Sequence, residues 1–262
     1  MVMIRGVDLV HDLSGEGPDV VWGHGLTSSM ASEDELGLLD WSTIRSTHRV
    51  LRYDARGHGE SGSTPEPEDY SWRALAADQL ALADHLGIGE YVAGGASMGC
   101  ATALHAAVIA PDRVRGLIFV IPPTAWERRA AQVDAYAMMA DLIEAGDHET
   151  LLAGAAAAPA PDPFVDDPRW TARFPQLLAS ADPARLARIF RGAGTADLPG
   201  PAEIAAIGVP TLILAWTGDP GHPVTTAARL HELIDGSELA LATTMDGIAG
   251  WSGRVRRFLD QA

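Results

Sequence analysis

The chain has 262 residues, enough for one α/β domain with an insertion and a full hydrophobic core. Its net charge of −16 speaks against nucleic acid or an anionic membrane as a partner. A single cysteine, Cys100, excludes an intramolecular disulfide, residues 1–6 lack the layout of a signal peptide, and no run reaches transmembrane length, so the expectation is a cytoplasmic protein.

Short apolar runs alternate with helix-forming stretches, the pattern of a mostly parallel sheet with helices on both faces. Residues 19–22 read as a strand ending in Gly23-His24-Gly25, and residues 48–53 as one ending in Asp54-Ala55-Arg56-Gly57-His58-Gly59. A helix is expected over 71–86, a strand over 90–94, a helix over 97–110 and a strand over 116–121. The alternation then stops. Helices are expected over 124–145 and 183–190, separated by the Ala/Pro-rich stretch 153–163. Periodic apolar positions (Tyr136, Met139, Leu142, Ile143) make residues 124–208 a helical lid, inserted between core segments 1–123 and 209–262. Strands at 211–216 and 238–243, with a helix at 224–234 between them, complete the pattern.

Gly95-Ala96-Ser97-Met98-Gly99 lies between a strand and a helix and reads as a nucleophile elbow. A sharp strand-to-helix turn strains its central residue, so the flanking positions must be small, and Gly95 and Gly99 satisfy that on both sides. The turn would present the Ser97 hydroxyl above the sheet and aim the Met98 N–H at the same point. A serine that merely caps the helix is the plainer alternative.

Three blocks together, Gly23-His24-Gly25-Leu26, Asp54 to Ser61 and the elbow, resemble the α/β-hydrolase fold family over nearly the whole chain. The chain looks closest to its lid-bearing esterase and enol-lactonase type. That resemblance implies Ser97 as nucleophile and the backbone N–H groups of Leu26 and Met98 as an oxyanion hole. It implies that His24 and His58 organise loops rather than move protons. It also implies Asp219, in Trp216-Thr217-Gly218-Asp219, as the acid that orients an imidazole; a loop aspartate capping the helix near Pro223 is the alternative.

One member of the family pattern is absent. The loop after the last strand, where the family carries its histidine, reads Thr244-Met245-Asp246-Gly247-Ile248-Ala249-Gly250-Trp251, and no histidine follows His231. Asp219-Pro220-Gly221-His222 offers a replacement. Pro and Gly at its centre suit a type II turn, which would bring Asp219 and His222 together. His222 would then serve as base if it also reaches Ser97; a solvent-facing histidine ahead of Pro223 is the alternative.

These readings lead to a hydrolase of small carboxylic esters or lactones, with catalytic Ser97, Asp219 and His222. A non-hydrolytic lyase, isomerase or cyclase using the same oxyanion hole, or a binding protein on this scaffold, are the other readings. Trp126, Tyr136, Met138 and Met139 are expected to give the lid an apolar substrate-binding wall, and Trp126-Glu127-Arg128-Arg129 could orient an anionic substrate. A small-molecule substrate is the expected partner. The sequence carries no metal-ligand cluster, no cofactor fingerprint and no signal for an oligomeric state.

Overall fold

A computed structural model describes residues 1–262, the side chain of Arg169 excepted. Two short strands, β1 (Val2–Ile4) and β2 (Val7–Leu9), pair as an antiparallel hairpin. Its two-residue turn is Arg5-Gly6, both at positive φ (45° and 82°), the backbone that matches strand twist in tight hairpins. The main sheet comprises β3 (His11–Ser14), β4 (Asp19–Gly23), β5 (Arg49–Tyr53), β6 (Tyr91–Ala96), β7 (Val114–Val120), β8 (Thr211–Trp216) and β9 (Glu238–Ala242). Its order is β3-β5-β4-β6-β7-β8-β9, with every neighbouring pair parallel except β3 with β5.

The inner strands are apolar on both faces, as a sheet covered on both sides requires. Alternation along β7 and β8 divides them between two cores. Phe119 and Ile213 pack to one side with Leu75, Leu82 and Leu104, and Ile118 and Leu212 pack to the other with Val50 and Trp251. Helices α1 (Met30–Leu36), α2 (Trp41–Arg45), α3 (Trp72–His85) and α4 (Met98–Ile109) occur in the first half of the chain. Among the described residues, no helix is long and apolar enough to cross a membrane.

Between β7 and β8 the chain leaves the sheet for five helices: α5 (Arg129–Glu144), α6 (His148–Ala157), α7 (Pro168–Ser180), α8 (Pro183–Gly194) and α9 (Pro201–Ala205). Caps set several of these starts: Asp147 accepts from the Thr150 amide at 3.1 Å, and Asp182 from the Arg185 amide at 2.7 Å. The insertion has a core of its own, in which Ala140, Ile143, Leu151, Leu186 and Phe190 are buried together. The Ala/Pro-rich stretch is therefore more ordered than composition suggests. Its alanines extend α6, and its prolines break the chain before α7. The sheet then resumes with β8, α10 (Val224–Leu233) and β9, followed by α11 (Met245–Ala249) and α12 (Trp251–Leu259).

Three glycines let β4, β6 and α4 meet. Gly23 pairs with Gly95 across the sheet. A Cβ at Gly95 would sit 2.4 Å from the Gly99 carbonyl carbon, and one at Gly99 would sit 1.9 Å from the Gly23 oxygen. Gly99→Ala is therefore expected to cost about 3 kcal/mol or prevent folding. Gly154→Ala, in exposed α6 with nothing within 4 Å of the added carbon, should instead stabilise by about 1 kcal/mol. Urea unfolding of the two variants checks both signs.

Candidate active site

Ser97 stands at the joint between β6 and α4 with φ 51° and ψ −107°, a left-handed backbone that a non-glycine residue adopts only under constraint. Its amide donates to the Val120 carbonyl at 3.0 Å, which ties the joint to β7. The loop after β4 lies directly alongside, since a Cβ on Gly25 would be 3.7 Å from the Ser97 Cβ. Leu26, the next residue, lines the same cavity as Ser97, while Met98 supplies the first amide of α4. Neither the Leu26 nor the Met98 amide donates to a backbone acceptor among the described residues. Cys100, two residues on, is buried with its thiol against the Gly95 and Val120 carbonyls, and burial pushes that thiol well up. It packs the helix onto the sheet and is no second nucleophile.

The segment after β8 carries the remaining groups. The His222 amide lies 3.3 Å from the Asp219 carbonyl, closing a four-residue turn. The turn is not type II, because positive φ falls on Gly218 (78°) and not on Gly221. Its effect is nonetheless the one the sequence suggests. His222 Nδ1 is 2.8 Å from Asp219 Oδ2, and His222 Nε2 is 2.7 Å from Ser97 Oγ. Serine, imidazole and carboxylate form one continuous hydrogen-bonded chain.

Asp219 does not cap α10; its acceptors are occupied within the turn. Trp216 Nε1 donates to Oδ2 at 2.8 Å and the Gly221 amide to Oδ1 at 2.9 Å. Burial alone would raise the carboxyl. The His222 charge and hydrogen bond, with the Trp216 and Gly221 donors, outweigh it and hold the group down to about 2. The turn is itself tied from outside. The Thr124 amide donates to the Gly221 carbonyl at 3.2 Å, and the Asp162 amide to the Thr217 carbonyl at 2.9 Å.

The loop after β9 is occupied differently. Thr244 caps α11, Asp246 is exposed, and Trp251 stacks on Trp216 with centroids 6.0 Å apart. His24 and His58 are buried, and burial brings them down to about 4 and about 3. His24 accepts from the Ala55 amide at 2.9 Å through Nε2 and contacts the Gly25 carbonyl at 2.8 Å through Nδ1. Both its nitrogens are thereby engaged in holding loops. Among the described residues no group of three His, Cys, Asp or Glu side chains could hold a metal ion.

Ser97 and His222 open into a cavity of about 420 Å³. Tyr136 and Met139 line it as expected, but Trp126 does not. The Trp126 indole donates to the Pro199 carbonyl and its amide to Asp197, so the residue ties the start of the insertion to the segment just before α9 near its end. Met138 faces solvent, 56% exposed. Arg129 is buried, donating to the Ala193 and Ala196 carbonyls and the Thr124 hydroxyl, and it does not line the cavity. The wall that sequence reasoning missed is Trp22, Leu39, Trp41, Trp170 and Phe174. Only Trp22 carried a signal, since it directly precedes Gly23-His24-Gly25.

Comparison with known proteins identifies the fold. A family model described as alpha/beta hydrolase fold matches residues 20–242. The chain belongs to the α/β-hydrolase fold family. Within that family it is 26% identical over 239 residues to 3-oxoadipate enol-lactonase 1 of Acinetobacter baylyi, covering 86% of this chain and 84% of that one. It is 31% identical over 128 residues to bifunctional epoxide hydrolase 2 of Sus scrofa, spanning only 22% of that longer protein. A solved structure of a hydrolase from Pseudomonas aeruginosa superposes with a TM-score of 0.82 at 26% identity, covering 99% of this chain and 97% of that one.

The depressed Asp219 carboxyl makes a pH prediction. A group whose folded value lies below its unfolded value stabilises above the unfolded value, and loses that contribution as pH falls through the folded one. The contribution is about 2 kcal/mol at neutral pH. Urea unfolding should show wild type more stable than Asp219→Asn at pH 6, with the gap narrowing as pH is lowered from about 5 toward 2.

Proposed function

We propose that the protein hydrolyses small carboxylic esters or lactones through an acyl-enzyme on Ser97, with His222 as base and Asp219 as its orienting acid. The observation that carries this reading is His222 Nε2 at 2.7 Å from Ser97 Oγ while Nδ1 is held by Asp219 at 2.8 Å. Ser97 Oγ attacks the ester carbonyl as Nε2 takes its proton. The negative oxygen of the tetrahedral intermediate is met by the Leu26 and Met98 amides. On collapse the carbon–oxygen bond to the alcohol breaks, and Nε2 returns the proton to the departing oxygen. Water repeats the sequence on the acyl-enzyme and releases the acid and Ser97. Asp219 remains ionised throughout and stabilises the transient imidazolium.

Similarity to an enol-lactonase supports an ester or lactone carbonyl as the target. The apolar wall of the cavity supports a substrate with a modest hydrophobic group. In this reading the insertion, residues 124–208, acts as a lid over the site, and Tyr136 and Met139 are its substrate contacts. A cytoplasmic setting accords with the one buried thiol, Cys100. The lyase, isomerase and cyclase readings drew their support from the missing base, and a histidine in contact with the nucleophile removes that support.

Rates on a chromogenic short-chain ester test the assignment. General-base help is worth about 10² to 10⁴ in rate. His222→Ala is expected to lose at least about 100-fold in kcat, approaching the loss in Ser97→Ala. Asp246→Asn, at the place the family gives its histidine, should match wild type. Equal rates for His222→Ala and wild type would remove His222 from the mechanism.

A further inference from the structure

The cavity that contains Ser97 also contains a carboxyl the hydrolytic steps do not use. Glu33, on α1, lines it beside Trp22, Leu36, Leu39 and Trp41. Its Oε2 accepts from the indole N–H of Trp22 at 3.1 Å. Arg52 Nη2 is 3.8 Å from the same oxygen, too far for a hydrogen bond, and Arg52 is engaged by Asp34 at 2.7 Å and the Met30 carbonyl at 2.8 Å. Oε1 has no hydrogen-bond partner among the described residues. The side chain is 13% exposed, and it lines the cavity wall. Oε1 is open to the cavity, where water or a bound molecule can complete it.

Arg173 lines the same cavity from α7, donating to the carbonyl of Ser32, the residue before Glu33, at 2.9 Å. A cationic ligand group would therefore meet Arg173, with Arg52 close behind the wall. A group that offers a lone pair would not be opposed.

We propose that Glu33 is a specificity-determining residue whose Oε1 donates a hydrogen bond to a neutral acceptor oxygen, such as a ketone, carried by the substrate away from its scissile carbonyl. This rests on the ester-hydrolase reading of the site and narrows its substrate class to esters or lactones with a second oxygen acceptor. Burial pushes the Glu33 carboxyl up to about 8, against the pull of Arg52, the Trp22 donor and Arg173, and with a smaller push from Asp34. A carboxyl raised this far favours its protonated form as pH approaches neutrality. Trp22 occupies Oε2, so the proton resides on Oε1 and points at what the cavity holds.

The test uses 4-nitrophenyl esters whose acyl chain carries a ketone at successive positions, each compared with the plain chain of equal length. Wild type should favour at least one oxo-ester by about 10-fold in kcat/KM, the worth of one buried hydrogen bond. Glu33→Leu should reduce that ratio to near one. Glu33→Gln, which retains an N–H donor and the acceptor for Trp22, should keep it. The wild-type ratio should fall as pH rises from 7 to 9 and the acid ionises, while the Glu33→Gln ratio stays level. A wild type that hydrolyses both esters equally, or a ratio unchanged in Glu33→Leu, overturns the role of Glu33 and leaves the hydrolase reading standing. Should Glu33→Leu fail to fold, the pH comparison between wild type and Glu33→Gln decides alone, with a level wild-type ratio counting against the proposal. No hydrolysis of the plain ester takes both down.

Discussion

The turn from Asp219 to His222 carries both the carboxylate and the imidazole of the site, and the surrounding structure serves to keep that short segment still. Acid and base on separate loops depend on the packing of both loops for their alignment. Here they are three residues apart, so closing the pair orders little chain. One oxygen, Asp219 Oδ2, receives both the imidazole and the Trp216 indole. The indole is fixed in turn, because Trp216 is buried against Phe164, Trp170 and Trp251. The loop after β9 holds no histidine; Thr244 caps α11 there, and Trp251 stacks on Trp216.

The serine reaches this turn through a different constraint. Gly23, Gly95 and Gly99 let two strands and a helix approach closely enough for the β4 loop to border Ser97. The strain at Ser97 is confined to one residue and held by its bond to Val120. The insertion closes the arrangement. Contacts from Thr124, before its first helix, and from Asp162, in its middle, both end on the segment 217–221. The insertion, whose Tyr136, Met139, Trp170 and Phe174 line the cavity, thus also holds the segment that carries Asp219 and His222.

Much of this was legible in the sequence, and for identifiable reasons. Parallel strands buried on both faces leave unbroken apolar runs, so β8 and its neighbours could be placed to within a residue or two. The elbow and the Asp219 turn are local motifs, and local geometry survives in local sequence. The antiparallel β1, β2 and β3 are short and half exposed, and nothing periodic marks them. Trp126 departs from the expected cavity wall because its indole hydrogen bond ends on Pro199, a partner 73 residues away that local sequence does not reveal. Glu33 gave no signal at all; its placement in an apolar cavity depends on α1 turning back over β4 and on α7 arriving from the insertion.

In the proposed mechanism Ser97 is activated by a histidine that reaches it from the β8 side of the sheet. Intact-mass kinetics with a fluorophosphonate probe measure that activation directly, without a substrate being known. Wild type should label stoichiometrically, Ser97→Ala not at all, and His222→Ala at least about 100-fold more slowly. Equal labelling rates in wild type and His222→Ala, or no labelling of wild type, would contradict that mechanism.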